Sequence, residues 1–198
     1  GVTNIDYHHN FFGDPSHRLP LFNGASGRWV SNIIYNWNQF ATLVQGGAHF
    51  DAIDNNYVAG SGLGHGDQGC NPHEIEGDLA QSSDDVSASM PGPPSLYLSG
   101  NNGPNGSDWQ LTGEVRSEGG CEVASPVENN WRRSSALAEP TFPIVADAAS
   151  TLDSVLIGLV GNSRSVSCDG TWTSHRGVED VAMINEYQTK GTGSLWNA

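Results

Sequence analysis

Asparagines recur in this chain at a nearly constant interval, and this interval restricts the available folds more than any other feature. Asn10, Asn32 and Asn56 are 22 and 24 residues apart, and Asn101 follows 45 residues later, at about two further intervals. Each asparagine lies in a short β-like run, and the four runs are YHHNFF (7–12), WVSNIIYN (29–36), AIDNNYV (52–58) and LYLSGNN (96–102). Repeats of roughly 20 to 50 residues are typical of stacked structural units.

The repeat predicts an all-β solenoid in which Asn10, Asn32 and Asn56 stack and hydrogen-bond from coil to coil. Asparagine is also common in turns of every kind, so three unrelated turns are the alternative. A chain of 198 residues is expected to form a single domain, 1–198. We expect coils at about 1–60 and 96–145 and a long loop at 61–95.

The predicted loop is rich in Gly, Ser, Pro and acidic residues. Its carboxylates could gather a calcium ion, but their spacing is not that of an EF-hand, and a solvated acidic loop is the simpler interpretation. These acids are Asp67, Glu74, Glu76, Asp78, Asp84 and Asp85.

The last part of the chain changes from strand-like to helical patterns. Apolar residues in 150–162 and 174–188 fall on one helical face in each segment, with Glu179 and Asp180 near the start of the second helix. We therefore expect a helical cover at about 146–198 that packs on the strands.

The charge of the chain excludes one class of partner. Eight basic and 22 acidic residues give a formal net charge of −14, and phosphate binding requires a basic face, so no nucleic acid partner is expected. No apolar run approaches the length of a membrane span, so no membrane-spanning segment is expected. In an oxidising compartment we expect at least one disulfide among Cys70, Cys121 and Cys168, with one thiol left over.

Two separated motifs resemble the pectate lyases of the pectin-lyase-like superfamily. The runs YHHNFF, HRLPLFNG (17–24) and WVSNIIYN are similar to their HHN, R-x-P-x-x-R and N-N-Y-Y pattern. The segment 160–193 is similar to their closing segment, which has a V-G-A-S stretch, an R-D-x-V-D helix and a final G-T-G. Both ends of the chain share the resemblance, and about 61–140 does not align.

The resemblance implies a right-handed parallel β-helix and cleavage of a uronate polymer by β-elimination, with calcium bridging sugar and protein carboxylates. It makes Arg18 the catalytic residue, held in place by Pro20. A guanidinium normally stays protonated, so Arg18 acts as the base only if calcium acidifies the C5 proton and burial beside cations favours the neutral form of Arg18; otherwise it stabilises the enolate-like intermediate. A surface arginine in an ion pair is the alternative.

Other residues near the motif are candidates for substrate binding. His8 and His9 point to opposite faces of a strand, so at most one lines the groove. Trp29, like Trp37, either stacks on a sugar ring or packs between coils. Asn23 replaces the second arginine of R-x-P-x-x-R and removes a bidentate anchor for a carboxylate.

The sequence thus favours a secreted polysaccharide lyase, acting on an acidic glycan with Ca²⁺, that corresponds to the C-terminal half of such an enzyme. The calcium ligands would then lie in a preceding segment, and that N-terminal segment or a second chain would complete the first coil. The alternative is a non-catalytic β-helix protein that binds carbohydrate at a surface. A glycoside hydrolase would need two carboxylates across one groove, and no pair is evident near Arg18.

Overall fold

The structure is a computed structural model, and it describes residues 2–15, 18–37, 41–60, 74–78, 92–118, 121–127, 129–161 and 164–189. Short strands and tight corners dominate these residues. The strands are β1 (Ile5–His8), β2 (Phe11–Gly13), β3 (Leu21–Asn23), β4 (Ser26–Val30), β5 (Ile33–Tyr35), β6 (Thr42–Gln45), β7 (His49–Ile53), β8 (Asn56–Val58), β9 (Ile75–Asp78), β10 (Ser95–Ser99), β11 (Asn102–Gly103), β12 (Gly106–Ser107), β13 (Thr112–Glu118), β14 (Cys121–Pro126), β15 (Arg164–Val166) and β16 (Trp172–Ser174). The helices are α1 (Leu152–Leu156) and α2 (Val178–Thr189).

Most strands belong to three sheets that the chain visits in turn. The first sheet has the order β1-β4-β7-β10, the second β12-β11-β8-β5-β2 and the third β14-β13-β9-β6-β3. We call one strand from each sheet a rung, so that β1, β2 and β3 form the first rung and β10, β11 and β13 the fourth. Neighbouring rungs pair in parallel, as in Ile5↔Gly27 and Gly27↔Phe50.

The predicted right-handed parallel β-helix is wrong as the fold class, because the described sheets mix parallel and antiparallel pairs. β11 pairs antiparallel with β12, β13 pairs antiparallel with β14, and β15 and β16 form a small separate antiparallel sheet. The physical reason lies at the fourth rung. There the chain turns back on itself in hairpins. The backbone groups at the free edge of β13 therefore pair with β14, and not with a parallel strand of a fifth rung.

A ladder of four asparagines, of which Asn32, Asn55 and Asn101 are buried and Asn10 is half-buried, joins the four rungs. Asn32 Oδ1 accepts hydrogen bonds from Asn10 N and Nδ2, both at 3.0 Å. Asn55 Oδ1 accepts from Asn32 N at 2.9 Å and Nδ2 at 3.1 Å, and Asn101 Oδ1 accepts from Asn55 N at 3.1 Å and Nδ2 at 2.8 Å. The third member is therefore Asn55, whereas the predicted Asn56 is the first residue of β8.

Two apolar clusters hold the strands and helices together. The larger cluster lies between the three sheets and includes Trp29, Trp37, Phe50 and Tyr57. The smaller joins β5 to the helices and comprises Ile33, Tyr35, Leu152, Leu156, Ile157, Ile184 and Tyr187. The predicted helical cover therefore contains two helices that pack on the second sheet, with the β15–β16 hairpin between them in the chain.

A crossing segment, residues 132–147, runs back along the first sheet from the fourth rung to the first. Arg133 N donates to Leu96 O at 2.7 Å, Leu137 N donates to Asp51 Oδ2 at 2.7 Å, and Asp147 N donates to Ser31 Oγ at 2.8 Å. The region 96–145, which was predicted to form coils, contains β10 to β14 and most of the crossing segment. The predicted loop 61–95 contains one strand, β9.

None of the helices in the described part of the chain has the length and apolar character needed to cross a bilayer.

Candidate functional site

Arg18 lies on the link between β2 and β3, and its side chain is exposed to solvent. Its backbone is in the left-handed region, with φ of 60°. The two residues that follow are fixed to the second rung: Leu19 N donates to Ala41 O, and Pro20 O accepts from Leu43 N. These two hydrogen bonds hold the backbone that follows Arg18 at the entrance to β3.

The strand that follows Arg18 alternates between core and surface. Phe22 is buried against Phe50, whereas Leu21 is exposed and Asn23 is half-buried. Asn23 Oδ1 lies against Gly46, which has a φ of 61° and no side chain in the way. The side chain that replaces the second arginine of the motif is thus packed against the neighbouring turn.

The two histidines lie at the corner between β1 and β2. His9 Nε2 is 2.9 Å from Asp147 Oδ2, and the Nδ1 atoms of His8 and His9 are 3.0 Å apart, so one of these nitrogens donates to the other. These contacts join the histidines to the crossing segment on the first sheet, whereas Arg18 precedes a strand of the third. The described contacts do not bring either histidine to Arg18.

Trp29 does not present a ring to a ligand. Its residue surface is 1% exposed, and its ring stacks on Phe12 with 5.0 Å between centroids. Trp37 is equally buried and contacts Tyr57 edge to face. The sequence left open whether Trp29 stacks on a sugar ring or packs inside the molecule. Trp29 packs inside the molecule, so the prediction that it binds substrate is wrong.

No three His, Cys, Asp or Glu side chains among the described residues form a metal-binding group. Asp67, Asp84 and Asp85 lie outside the described residues. Glu74 is fully buried and accepts hydrogen bonds from Asn105 N and Nδ2, each at 2.9 Å. Burial raises the pKa of Glu74, and the hydrogen bonds from Asn105 oppose this rise only in part. Glu74 therefore fixes the turn at Asn105 in place.

Among the three cysteines, the structure describes the side chain of Cys168. Cys168 is a free, exposed thiol between β15 and β16, Cys121 is the first residue of β14, and Cys70 lies outside the described residues. The predicted disulfide stays a prediction.

The structure also contains a charged network that the sequence analysis missed. Arg28 is buried, and its Nε lies 2.7 Å from Asp6 Oδ1 while its Nη1 lies 2.8 Å from Glu139 Oε2. Burial lowers the pKa of Arg28, but the hydrogen bonds with the two carboxylates outweigh this effect and raise the pKa overall. Asp51, which lies beside Arg28 on the neighbouring strand β7, pairs with Arg133.

A signal for this network was present in the sequence. Asp6, Arg28 and Asp51 are 22 and 23 residues apart, which is the interval of the asparagine ladder. The register Asp6↔Arg28↔Asp51 follows directly from that interval. Their partners Arg133 and Glu139 come from the crossing segment and have no such periodic signal.

Comparison of the chain with protein-family models finds no match, and comparison with curated proteins finds none either. Arg18 and the groups around it are therefore the basis on which a function is inferred.

Proposed function

We propose that the chain is part of a polysaccharide lyase that cleaves a uronate-containing glycan by β-elimination, with Arg18 facing the sugar carboxylate. The observation that carries this proposal is the position of Arg18, an exposed cation whose backbone precedes β3 in a left-handed conformation. The HHN and R-x-P motifs of the sequence support the same chemistry by their resemblance to pectate lyases.

In the proposed reaction a base removes the proton at C5 of the uronate, and the negative charge spreads onto the sugar carboxylate. The bond between C4 and the glycosidic oxygen then breaks, and a C4–C5 double bond forms. A guanidinium stays protonated and is a donor, so Arg18 stabilises the enolate-like charge by hydrogen bonding rather than by taking the proton.

Charge gives Arg18 a further part in binding. The chain has a net charge of −14 and repels a polyanion over most of its surface. A fixed guanidinium, together with Ca²⁺ bound by a preceding segment, would reverse the sign of the potential locally. Calcium is therefore proposed as a cofactor of the complete protein, and secretion as its localisation, since its polymeric substrate is extracellular.

A further partner is proposed at the edge of the first rung. Within the described residues, β1, β2 and β3 each pair on one side only, with β4, β5 and β6. Unpaired strand edges invite pairing with another chain. A preceding N-terminal segment or a second chain is proposed to cover these three edges.

A non-catalytic carbohydrate-binding protein is the second candidate. Asn23 favours it, because this residue stands where the motif has its second arginine and its side chain packs against Gly46. Loss of a bidentate carboxylate anchor weakens the hold on a uronate.

The test is an elimination assay of the complete protein on polygalacturonate with calcium at alkaline pH. We expect unsaturated products that absorb in the ultraviolet. Arg18→Ala should lower the rate at least a hundredfold, or about 3 kcal/mol in the barrier, and Arg18→Lys should recover little of it.

The matched control is Arg164→Ala, because Arg164 is also exposed but lies on the β15–β16 hairpin. It should act at the parental rate. Absence of any elimination product, or an Arg18→Ala variant as fast as its parent, contradicts the lyase; retained binding to the polymer would then support the second candidate.

A further inference from the structure

A cavity of about 480 Å³ lies between the first sheet and the crossing segment. Its floor is formed by β1 and the start of β4, and its wall by residues 137–141. The volume is in the range of small-molecule sites, roughly 300–1,000 Å³. Arg18 does not line it, so the cavity is separate from the proposed lyase site.

The wall of the cavity is anchored at two points. Leu137 N donates to Asp51 Oδ2 at 2.7 Å, and Glu139 pairs with Arg28 at 2.8 Å. Arg28 is buried and Asp51 is fully buried, so both anchor groups belong to the rigid sheet. A wall that is already fixed in this way lowers the entropy lost when a ligand binds.

The polar groups of the cavity are mainly hydrogen-bond acceptors and hydroxyls. In the described contacts Asp6 and Glu139 each use one carboxylate oxygen for Arg28, which leaves Asp6 Oδ2 and Glu139 Oε1 as acceptors. Ser26 and Thr141 add hydroxyl groups, and Pro140 adds an apolar surface. Ligand hydroxyls and a C–H face match this combination.

The charge of the lining excludes an anionic ligand. Asp6 and Glu139 carry two negative charges against the single positive charge of Arg28, and Arg28 already donates to both carboxylates. A uronate carboxylate would therefore be repelled, and Arg28 Nη2, which has no hydrogen-bond partner in the described structure, is buried and not exposed to it. A neutral polyol gains hydrogen bonds without this repulsion.

We propose that this cavity binds an uncharged sugar residue, as a site distinct from the uronate-binding position at Arg18. In a branched acidic polysaccharide such a site would take a neutral side-chain sugar. The cavity stands on its own lining, and its occupancy does not depend on the lyase chemistry.

The test is an NMR titration of the complete protein with D-galactose, D-galacturonate and putrescine as separate probes. We expect galactose to shift the amide signals of Ser26, Gly27 and Ala138 with a Kd on the order of 1 mM. Galacturonate should bind at least tenfold more weakly, because its carboxylate meets Asp6 and Glu139.

Single-residue variants test whether galactose occupies this cavity. Glu139→Ala should weaken galactose binding about tenfold, whereas Glu139→Gln keeps the bond to Arg28 and should lose less. The matched control Glu179→Gln, at an exposed acid in α2, should change nothing. Arg18→Ala should also leave galactose binding intact, even if it abolishes elimination.

Absence of shifts at about 50 mM galactose overturns the proposal. Unchanged galactose binding in Glu139→Ala also overturns it. Tighter binding of putrescine than of galactose overturns it as well, because that result would make the cavity a site for cations.

Discussion

Asp14 is a buried acid that the fold does not fully satisfy. It is 4% exposed, and its Oδ1 accepts a hydrogen bond from Asn36 Nδ2 at 2.6 Å. In the described structure its Oδ2 has no hydrogen-bond partner. Burial raises the pKa of Asp14, and the bond from Asn36 only partly opposes this. Asp14 also has a φ of 50°, a conformation that asparagine adopts readily.

We expect Asp14→Asn to stabilise the protein by about 1 kcal/mol at pH 7 and to have little effect at pH 3. The raised pKa means that the protonated carboxyl contributes stability below the ordinary value of 3.8, and that this stability is lost as the pH rises through the folded-state pKa. Asparagine does not titrate and avoids that loss. Urea unfolding of both proteins at pH 3, 5 and 7 measures the difference.

A difference in stability that is the same at all three pH values would show that ionisation of Asp14 is not its cause. Asn36→Ala tests the partner: without the donor amide, Asp14 loses the bond that opposes the effect of burial, and the pH dependence of stability should become steeper.

The corner between the first and second sheets is the most regular element of the fold. It has two residues in every rung, the first in the left-handed region and the second an asparagine: His9–Asn10, Ser31–Asn32, Asp54–Asn55 and Gly100–Asn101. The asparagine side chain also bonds backbone groups of the neighbouring rung, as in Asn55 Nδ2 to Trp29 O at 2.7 Å. Asn55 and Asn101 therefore satisfy buried backbone groups that water cannot reach.

We expect Asn55→Ala to destabilise the protein by about 3 kcal/mol, because it leaves Asn32 N and Trp29 O unpaired inside the molecule. Asn56→Ala is the matched control, since Asn56 is half-buried and lies outside the ladder, and it should cost less than about 1 kcal/mol. Chemical denaturation of the two variants checks this. Equal losses would mean that the ladder adds nothing beyond an ordinary strand residue.

The sequence predicted the ladder only in part, and the reason is local. The interval near 22 residues located Asn10 and Asn32, but it fits both members of the pair Asn55 and Asn56. The ladder asparagine is the one that directly follows a residue in the left-handed conformation. Asp54 has this conformation, so the ladder residue is Asn55. The apolar face of 174–188 also predicted the packing of α2 only in part, because Val178 and Val181 are exposed while Ile184 and Tyr187 are buried.

The crossing segment and the hairpins could not be predicted, because their partners are distant in sequence. Asp51 contacts Arg133, and Arg28 contacts Glu139, over long separations in the chain, and no periodic pattern marks these partners. For the candidate site, the sequence motif indicates Arg18, and the role of Arg18 stays a prediction. The sequence could not show that Trp29 is buried or that the side chain of Asn23 packs against Gly46.

At the scale of the whole molecule, excess negative charge opposes the compact state. The ion pairs of Arg28 and Arg133 neutralise a few acids, but the net charge of −14 remains and acts mainly at the surface. Salt screens surface charges, with a Debye length of about 30 Å at 0.01 M and about 8 Å at 0.15 M. Repulsion between distant acids therefore falls strongly over this range.

We expect the Tm at pH 7.5 to rise by several degrees between 10 and 200 mM NaCl, since screening relieves this repulsion. Differential scanning calorimetry measures the change. At pH 4.5, near the pI of about 4.5, the same increase in salt should have little effect. A Tm that falls with salt at pH 7.5 would mean that attractive surface pairs outweigh the repulsion.

The constant two-residue corner has a consequence for how this molecule can vary in length. The first and second sheets are locked in step at every rung, so an insertion there would displace an asparagine from the ladder. The other two corners differ in length from rung to rung. Residues 14–20 join β2 to β3 but 59–74 join β8 to β9, and residues 24–25 join β3 to β4 but 79–94 join β9 to β10. Insertions and deletions are thus confined to the links that flank the third sheet. The link that carries Arg18 is one of them, so new binding loops can be added beside the candidate site while the rungs stay in register.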